Sequence, residues 1–73
     1  MTEPVLQLDC RGMKCPRPII ELGRRIGDIE VGAVIELLAD DPAAAPDVAA
    51  WCRMRGQTLV SSQPPAFEVR RDR

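Results

Sequence analysis

The stretch Pro16-Arg17-Pro18-Ile19-Ile20-Glu21-Leu22-Gly23-Arg24-Arg25-Ile26-Gly27-Asp28-Ile29 decides the fold. Ile19, Leu22, Ile26 and Ile29 recur at spacings of three and four, which puts one apolar stripe along a helix. The two prolines fit only the first turn, where backbone N–H groups have no helical partner. A helix is therefore predicted from Pro16 to Ile29. On its N-terminal side, Val5-Leu6-Gln7-Leu8-Asp9-Cys10 alternates as a strand, with Leu6, Leu8 and Cys10 on one face. Arg11-Gly12-Met13-Lys14 forms the intervening turn.

On the C-terminal side, Gly32 marks a turn. Ala33 to Ala39 then reads as a strand, apolar on both faces apart from Glu36, the pattern of a central strand. Asp40-Asp41-Pro42 ends it. A second helix is predicted from about Pro46 to Arg55, stopped by Gly56. It carries Val48 and Cys52 on its apolar face, with Ala45 and Ala49 beside them. Gln57 to Gln63 and Ala66 to Arg71 read as two further strands joined by Pro64-Pro65, and the last residues, Arg70 to Arg73, read as a frayed basic tail. The order β-α-β-α-β-β predicts an α/β two-layer sandwich, of the α+β type. Both helices cover one face of a four-stranded mixed sheet.

The 73 residues allow one domain, 1–73, near the lower size limit for independent folding. A core of this size rarely supplies more than roughly 3–5 kcal/mol of net stability. There is little room for a deep cleft, so the chemistry belongs at the surface and is completed by another protein. A net charge of −1 favours neither nucleic acid nor an anionic membrane. Only two aromatics, Trp51 and Phe67, also argue against a nucleic-acid binder. No apolar run approaches the roughly 20 residues of a membrane span. The start, Met1-Thr2-Glu3-Pro4, does not resemble a secretory leader, so a cytoplasmic protein is expected.

There are three cysteines, Cys10, Cys15 and Cys52, and no histidine. An odd count without a leader argues against a disulfide framework. Three soft ligands fall short of a structural zinc site, so neither metal nor cofactor is expected. Without histidine, Cys–His and Ser–His–Asp catalysis within the chain is excluded.

Cys15-Pro16-Arg17-Pro18 places a cysteine at a helix entry. Free N–H groups and the positive end of the helix dipole would lower its pKa from about 8.5 by one to several units, and would also hold a persulfide anion. Lys14 and Arg17 add positive charge, and the prolines stiffen the turn. The same residues also fit a plain helix start with an inert thiol.

Asp9 and Gly12, followed by Cys15-Pro16-Arg17-Pro18, resemble the signature of the TusA family of sulfur-carrier proteins, also called SirA-like. The likeness continues through Gly32, Asp40-Asp41-Pro42, Asp47, Trp51-Cys52 and Gly56, and so covers nearly the whole chain. The resemblance implies that Cys15 accepts persulfide sulfur from a cysteine desulfurase or rhodanese-like donor. It also implies that Cys15 relays the sulfur to an acceptor, in tRNA 2-thiolation, sulfur oxidation or cofactor sulfuration. Such a chain is a sulfurtransferase-type carrier that works together with partner enzymes. The acidic pair Asp40 and Asp41 lies near the helix start in the shared fold. Met13, Gln57 and the additional thiol Cys10 depart from the family pattern.

The other residues carry two readings each. Cys10 is a core thiol or a resolving partner for Cys15. Cys52 belongs to the core stripe. Trp51 is half-buried packing or a partly exposed partner contact. Asp40 and Asp41 cap the turn and help shape the Cys15 site, and Asp9 orders the loop that comes after it. Arg24-Arg25 reads as a solvated helix face or, in the second reading, as a docking patch for an acidic partner. Against the carrier stands a regulatory or redox-sensing binding module, in which Cys15 would be replaceable by serine.

Overall fold

A computed structural model describes residues 3–73. Met1 and Thr2, part of the start read above for a leader, lie outside the described residues. Strand β1 (Pro4–Asp9) runs parallel to β2 (Val34–Leu38), which pairs antiparallel with β4 (Ala66–Arg70). Strand β3 (Thr58–Gln63) forms the far edge, giving the order β1-β2-β4-β3. Helices α1 (Arg17–Arg25) and α2 (Ala44–Arg55) supply the second layer, as the alternating periodicities predict.

The core lies between the layers. Leu8, Ile35, Leu37, Phe67 and Val69 from the sheet meet Leu22 of α1 and Val48, Trp51 and Cys52 of α2. β2 has partners on both sides and buries Val34, Ile35 and Leu37, which accounts for its near-continuous apolar sequence. Its one charged residue, Glu36, is only partly buried and accepts a hydrogen bond from Gln7 at 2.6 Å.

The first helix is shorter than its apolar stripe. It stops at Arg25, and Ile26–Asp28 tightens into a 3₁₀ turn. Gly27, a weak helix former, sits in that turn, and Arg25 Nε donates to Asp28 Oδ2 at 2.8 Å. Ile29 is still buried and Ile26 half-buried, so the stripe reaches the core by a different backbone path.

The second helix begins two residues before Pro46. Pro46 is its third residue, where the absent N–H would have had no helical acceptor, so the ring costs no hydrogen bond. The helix ends at Gly56, whose φ of +72° lies in the left-handed region, with Gln57 N–H returning to the Cys52 carbonyl at 3.0 Å.

The C-terminal residues are tied down, contrary to the frayed tail expected. Arg71 N–H donates to the Ala33 carbonyl at 2.9 Å, and Gly32 N–H to the Arg71 carbonyl at 2.6 Å. The Arg71 guanidinium reaches the Ile29 carbonyl at 2.6 Å. Gln57 Oε1 accepts the N–H groups of Asp72 (2.6 Å) and Arg73 (3.2 Å). The chain beyond β4 thus continues against the turn that feeds β2, and its polar groups find partners there.

Candidate functional site

Between β1 and α1 the chain makes a loop that carries the predicted carrier thiol, Cys15, and two of its supporting residues, Gly12 and Lys14. Cys10 N–H still bonds to the Leu38 carbonyl at 2.8 Å, extending the β1–β2 ladder into the loop. Two tight turns come next, closed by Met13 N–H to the Cys10 carbonyl (3.1 Å) and Arg17 N–H to the Lys14 carbonyl (3.0 Å). Gly12, at φ +85°, supplies the left-handed residue the first turn needs.

Three carboxylates hold this loop, each on a different backbone N–H. Asp9 Oδ1 accepts from Arg11 N–H at 3.2 Å, and the same carboxylate pairs with the Arg11 guanidinium at 2.8 Å. Asp40 Oδ1 accepts from Gly12 N–H at 3.0 Å. Asp41 Oδ2 accepts from Cys15 N–H at 3.3 Å, while its Oδ1 takes Ala43 N–H at 2.8 Å and so turns the chain into α2. Asp9 therefore orders the loop as expected, and Asp41 both shapes the Cys15 segment and initiates the second helix. Hydrogen bonds to Arg11 hold the Asp9 carboxyl down at about 2.

Cys15 sits two residues ahead of α1, half-buried and, like Met13 and Ile19, packed against the edge of the core. Cys10 and Cys52 are each only 3% exposed. Both belong to the core, and burial raises both thiol pKa values, Cys52 to about 11.

The electrostatics at Cys15 differ from the sequence-based expectation. Its thiol is pushed up to about 11, first by desolvation and then by the neighbouring carboxylates of Asp47 and Asp41. The converging N–H groups expected at the helix start are largely spent. Pro16 and Pro18 have no N–H, Arg17 gives its own to Lys14, and Cys15 gives its own to Asp41. Lys14 and Arg17 are exposed, and the charges that weigh on the sulfur are those of the two aspartates.

Asp47, in the first turn of α2, is the site residue that the reading from residues alone did not single out. Its signal was an acid in the opening turn of the helix that Asp41 starts, and so on the same rim as the Asp40-Asp41 pair. Asp47 also lines a shallow groove between the helices with Pro16, Ile19, Ala50, Trp51 and Met54. Trp51 forms the groove floor and is more buried than expected, at 8% exposure. Met54 at the rim is 82% exposed. Among the described residues no His, Cys, Asp or Glu side chains are grouped as ligands for a metal ion. Among the described residues no helix is long and apolar enough to cross a membrane.

The family model described as "Sulfurtransferase TusA" matches residues 6–70. A putative sulfur carrier protein of Archaeoglobus fulgidus is 44% identical over 54 residues, covering 74% of this chain and 70% of its own. The sulfur carrier protein TusA of Pseudomonas paraeruginosa is 34% identical over 67 residues, covering 90% of this chain and 85% of its own.

Proposed function

This chain belongs to the TusA family of sulfur carriers, and we propose that it carries sulfane sulfur as a persulfide on Cys15. The observation that carries this reading is the contrast among the thiols. Cys15 alone of the three lies at the rim, on a loop pinned through Arg11, Gly12 and Cys15 itself, while Cys10 and Cys52 are sealed in the core. A family of sulfur carriers implies a donor and an acceptor. The donor is a cysteine desulfurase or a rhodanese-like enzyme. The acceptor serves tRNA 2-thiolation, sulfur oxidation or cofactor sulfuration in the cytoplasm.

Loading is a thiol–persulfide exchange. The Cys15 sulfur attacks the outer sulfur of the donor's persulfide, a new S–S bond forms, and the donor's own S–S bond breaks with its electron pair on the donor thiolate. That thiolate takes up the proton Cys15 gives away, and no electron is gained or lost overall. Unloading repeats the exchange with the acceptor as nucleophile. Pro16 and Pro18 fix the path of the segment after Cys15, Arg17 and Lys14 offer exposed positive charge to a docking partner, and Asp9, Gly12, Asp40 and Asp41 fix the loop. The groove between the helices gives a partner an apolar footing beside the thiol.

The test is intact-mass spectrometry after incubation with a cysteine desulfurase and cysteine. Wild type should gain one reductant-sensitive sulfur atom, and Cys15→Ser none, because a serine hydroxyl is not ionised at neutral pH and holds no sulfane sulfur. Undiminished loading of the Cys15→Ser protein would refute the assignment and leave a regulatory or redox-sensing module as the better reading.

A further inference from the structure

Asp40 and Asp41, which hold the thiol loop, also form one wall of a cavity to which the carrier reading gives no task. The other walls are Ala39, Pro42, Ala45, Pro64, Pro65 and Phe67, around about 310 Å³. The space exists because Ala39 and Ala45 are small; larger side chains beside the buried Phe67 ring would close it. The prolines fix their own backbone angles. Ala39 N–H donates to the Pro65 carbonyl at 2.8 Å, which ties the β3–β4 turn to the end of β2. The walls are thus in place before anything binds, and an occupant is spared the cost of ordering them.

The volume lies at the lower end of the about 300–1,000 Å³ of small-molecule sites, room for one large apolar side chain. Pro42, Pro64 and Pro65 are exposed, so the cavity is open to a docking protein. Its rim is acidic. Asp40 accepts a hydrogen bond through Oδ1 alone, and among the described residues neither Asp40 nor Asp41 forms an ion pair, Arg11 being paired with Asp9. Resting on the carrier reading for the class of occupant, since a sulfur carrier must be held by proteins, we propose that this cavity docks a partner segment that seats one large apolar side chain among the prolines and sets an adjacent lysine or arginine against Asp40. Lys14 and Arg17 on the thiol segment are exposed cations, so the cavity and the thiol segment favour partner surfaces of opposite charge.

The experiment is a titration of isotope-labelled protein with three capped dipeptides, followed by backbone amide resonances. The probes are acetyl-leucyl-lysine amide, acetyl-leucyl-glutamate amide and acetyl-seryl-lysine amide. The leucyl-lysine peptide should shift the Ala39, Ala45 and Phe67 amides saturably, with a Kd of about 1–10 mM. The Gly12 amide should move with them, because Asp40 accepts its N–H. The leucyl-glutamate peptide should bind about fivefold more weakly, and the seryl-lysine peptide about tenfold. Ala45→Leu, which fills the cavity from α2, should weaken the leucyl-lysine peptide about tenfold. Equal binding of the lysine and glutamate peptides overturns the proposal, as does undiminished binding to Ala45→Leu. So does the lack of a saturable shift up to about 20 mM, or shifts confined to Trp51 and Met54 of the groove. If Ala45→Leu loses its amide dispersion, the wild-type series decides alone. Peptide binding needs no sulfur transfer: a Cys15→Ser protein that still loads would sink the carrier reading and leave these shifts intact, and absent shifts would leave loading untouched.

Discussion

The carboxylate of Asp41 joins Cys15 to the second helix: Oδ2 accepts the Cys15 N–H at 3.3 Å and Oδ1 accepts the Ala43 N–H at 2.8 Å. One side chain therefore sets both the loop that bears the thiol and the turn that starts α2. Asp41→Ala leaves both donors without that acceptor. Loss of the two hydrogen bonds, at about 0.5–1.5 kcal/mol each, costs about 1–3 kcal/mol, and each kcal/mol lowers Tm by about 4–8 °C in a domain of this size. The expected drop is read by thermal unfolding. A melting curve equal to wild type would show that water replaces both bonds without loss.

Accessibility separates the thiols more than their acidities do. Cys15 and Cys52 are both pushed up to about 11, but Cys52 is 3% exposed and Cys15 is half-buried at the rim. Limiting iodoacetamide should label Cys15 first, and slowly at pH 7, because most of the thiol is protonated. Cys10 and Cys52 should react only on the timescale of unfolding. Equal labelling of Cys52 at early times would contradict the packing described.

The core leaves little margin. Leu22 is fully buried between α1 and the sheet. Leu→Ala at such a site costs about 2–5 kcal/mol, against a net stability that rarely exceeds roughly 3–5 kcal/mol for a chain this short. Leu22→Ala should be largely unfolded at room temperature, with loss of the cooperative transition in a urea titration. Ile20→Ala, at a residue 53% exposed on the same helix, should leave the transition within about 0.5 kcal/mol of wild type.

The tail gives a second test of packing. Arg71, Asp72 and Arg73 engage Ile29, Gly32, Ala33 and Gln57 through backbone and side-chain hydrogen bonds. Ending the chain at Arg70 removes those partners and leaves the Ala33 carbonyl and Gly32 N–H to water. At about 0.5–1.5 kcal/mol for each net hydrogen bond, a fall in Tm of several degrees is expected by differential scanning calorimetry. A truncated chain that melts with wild type would restore the frayed-tail reading.

The layers, the element order and the central position of β2 were legible because periodicity survives in any packing that buries one face of each element. Leu8, Leu22, Val48 and Phe67 are where that logic puts them. Boundaries were less legible, since Pro46 is tolerated inside the first turn and Gly27 tightens the end of α1. The least legible feature was the charge at Cys15. Local sequence shows Lys14 and Arg17 next to the thiol, whereas Asp41 and Asp47 arrive from 26 and 32 positions away (41 − 15 and 47 − 15). Only the tertiary fold brings them to the sulfur. The prolines that suggested a rigid helix start also remove two of the N–H donors on which an acidic thiol would have depended.

Stability should depend on pH in two separate windows. At the alkaline end, Cys15 and Cys52 hold their protons up to about 11 in the folded chain, whereas unfolded cysteines release theirs near 8.5. Above about 8.5 the native state binds more protons than the unfolded one. Stability is therefore fully present below that pH and declines as pH rises towards 11, by at most about 1.4 kcal/mol per pH unit for each thiol. At the acid end the sign reverses. The Asp9 carboxyl lies at about 2 when paired with Arg11 and near 3.9 when unfolded, so its contribution is present above pH 4 and lost as pH falls towards 2. Urea titrations in reductant at closely spaced pH values should give a plateau from about pH 5 to 8 with a fall on each side. Cys52→Ala removes the more deeply buried of the two thiols, and its alkaline fall should be shallower than wild type, whatever its stability at pH 7. An alkaline limb of unchanged slope in Cys52→Ala would show that the buried thiol is not what titrates there.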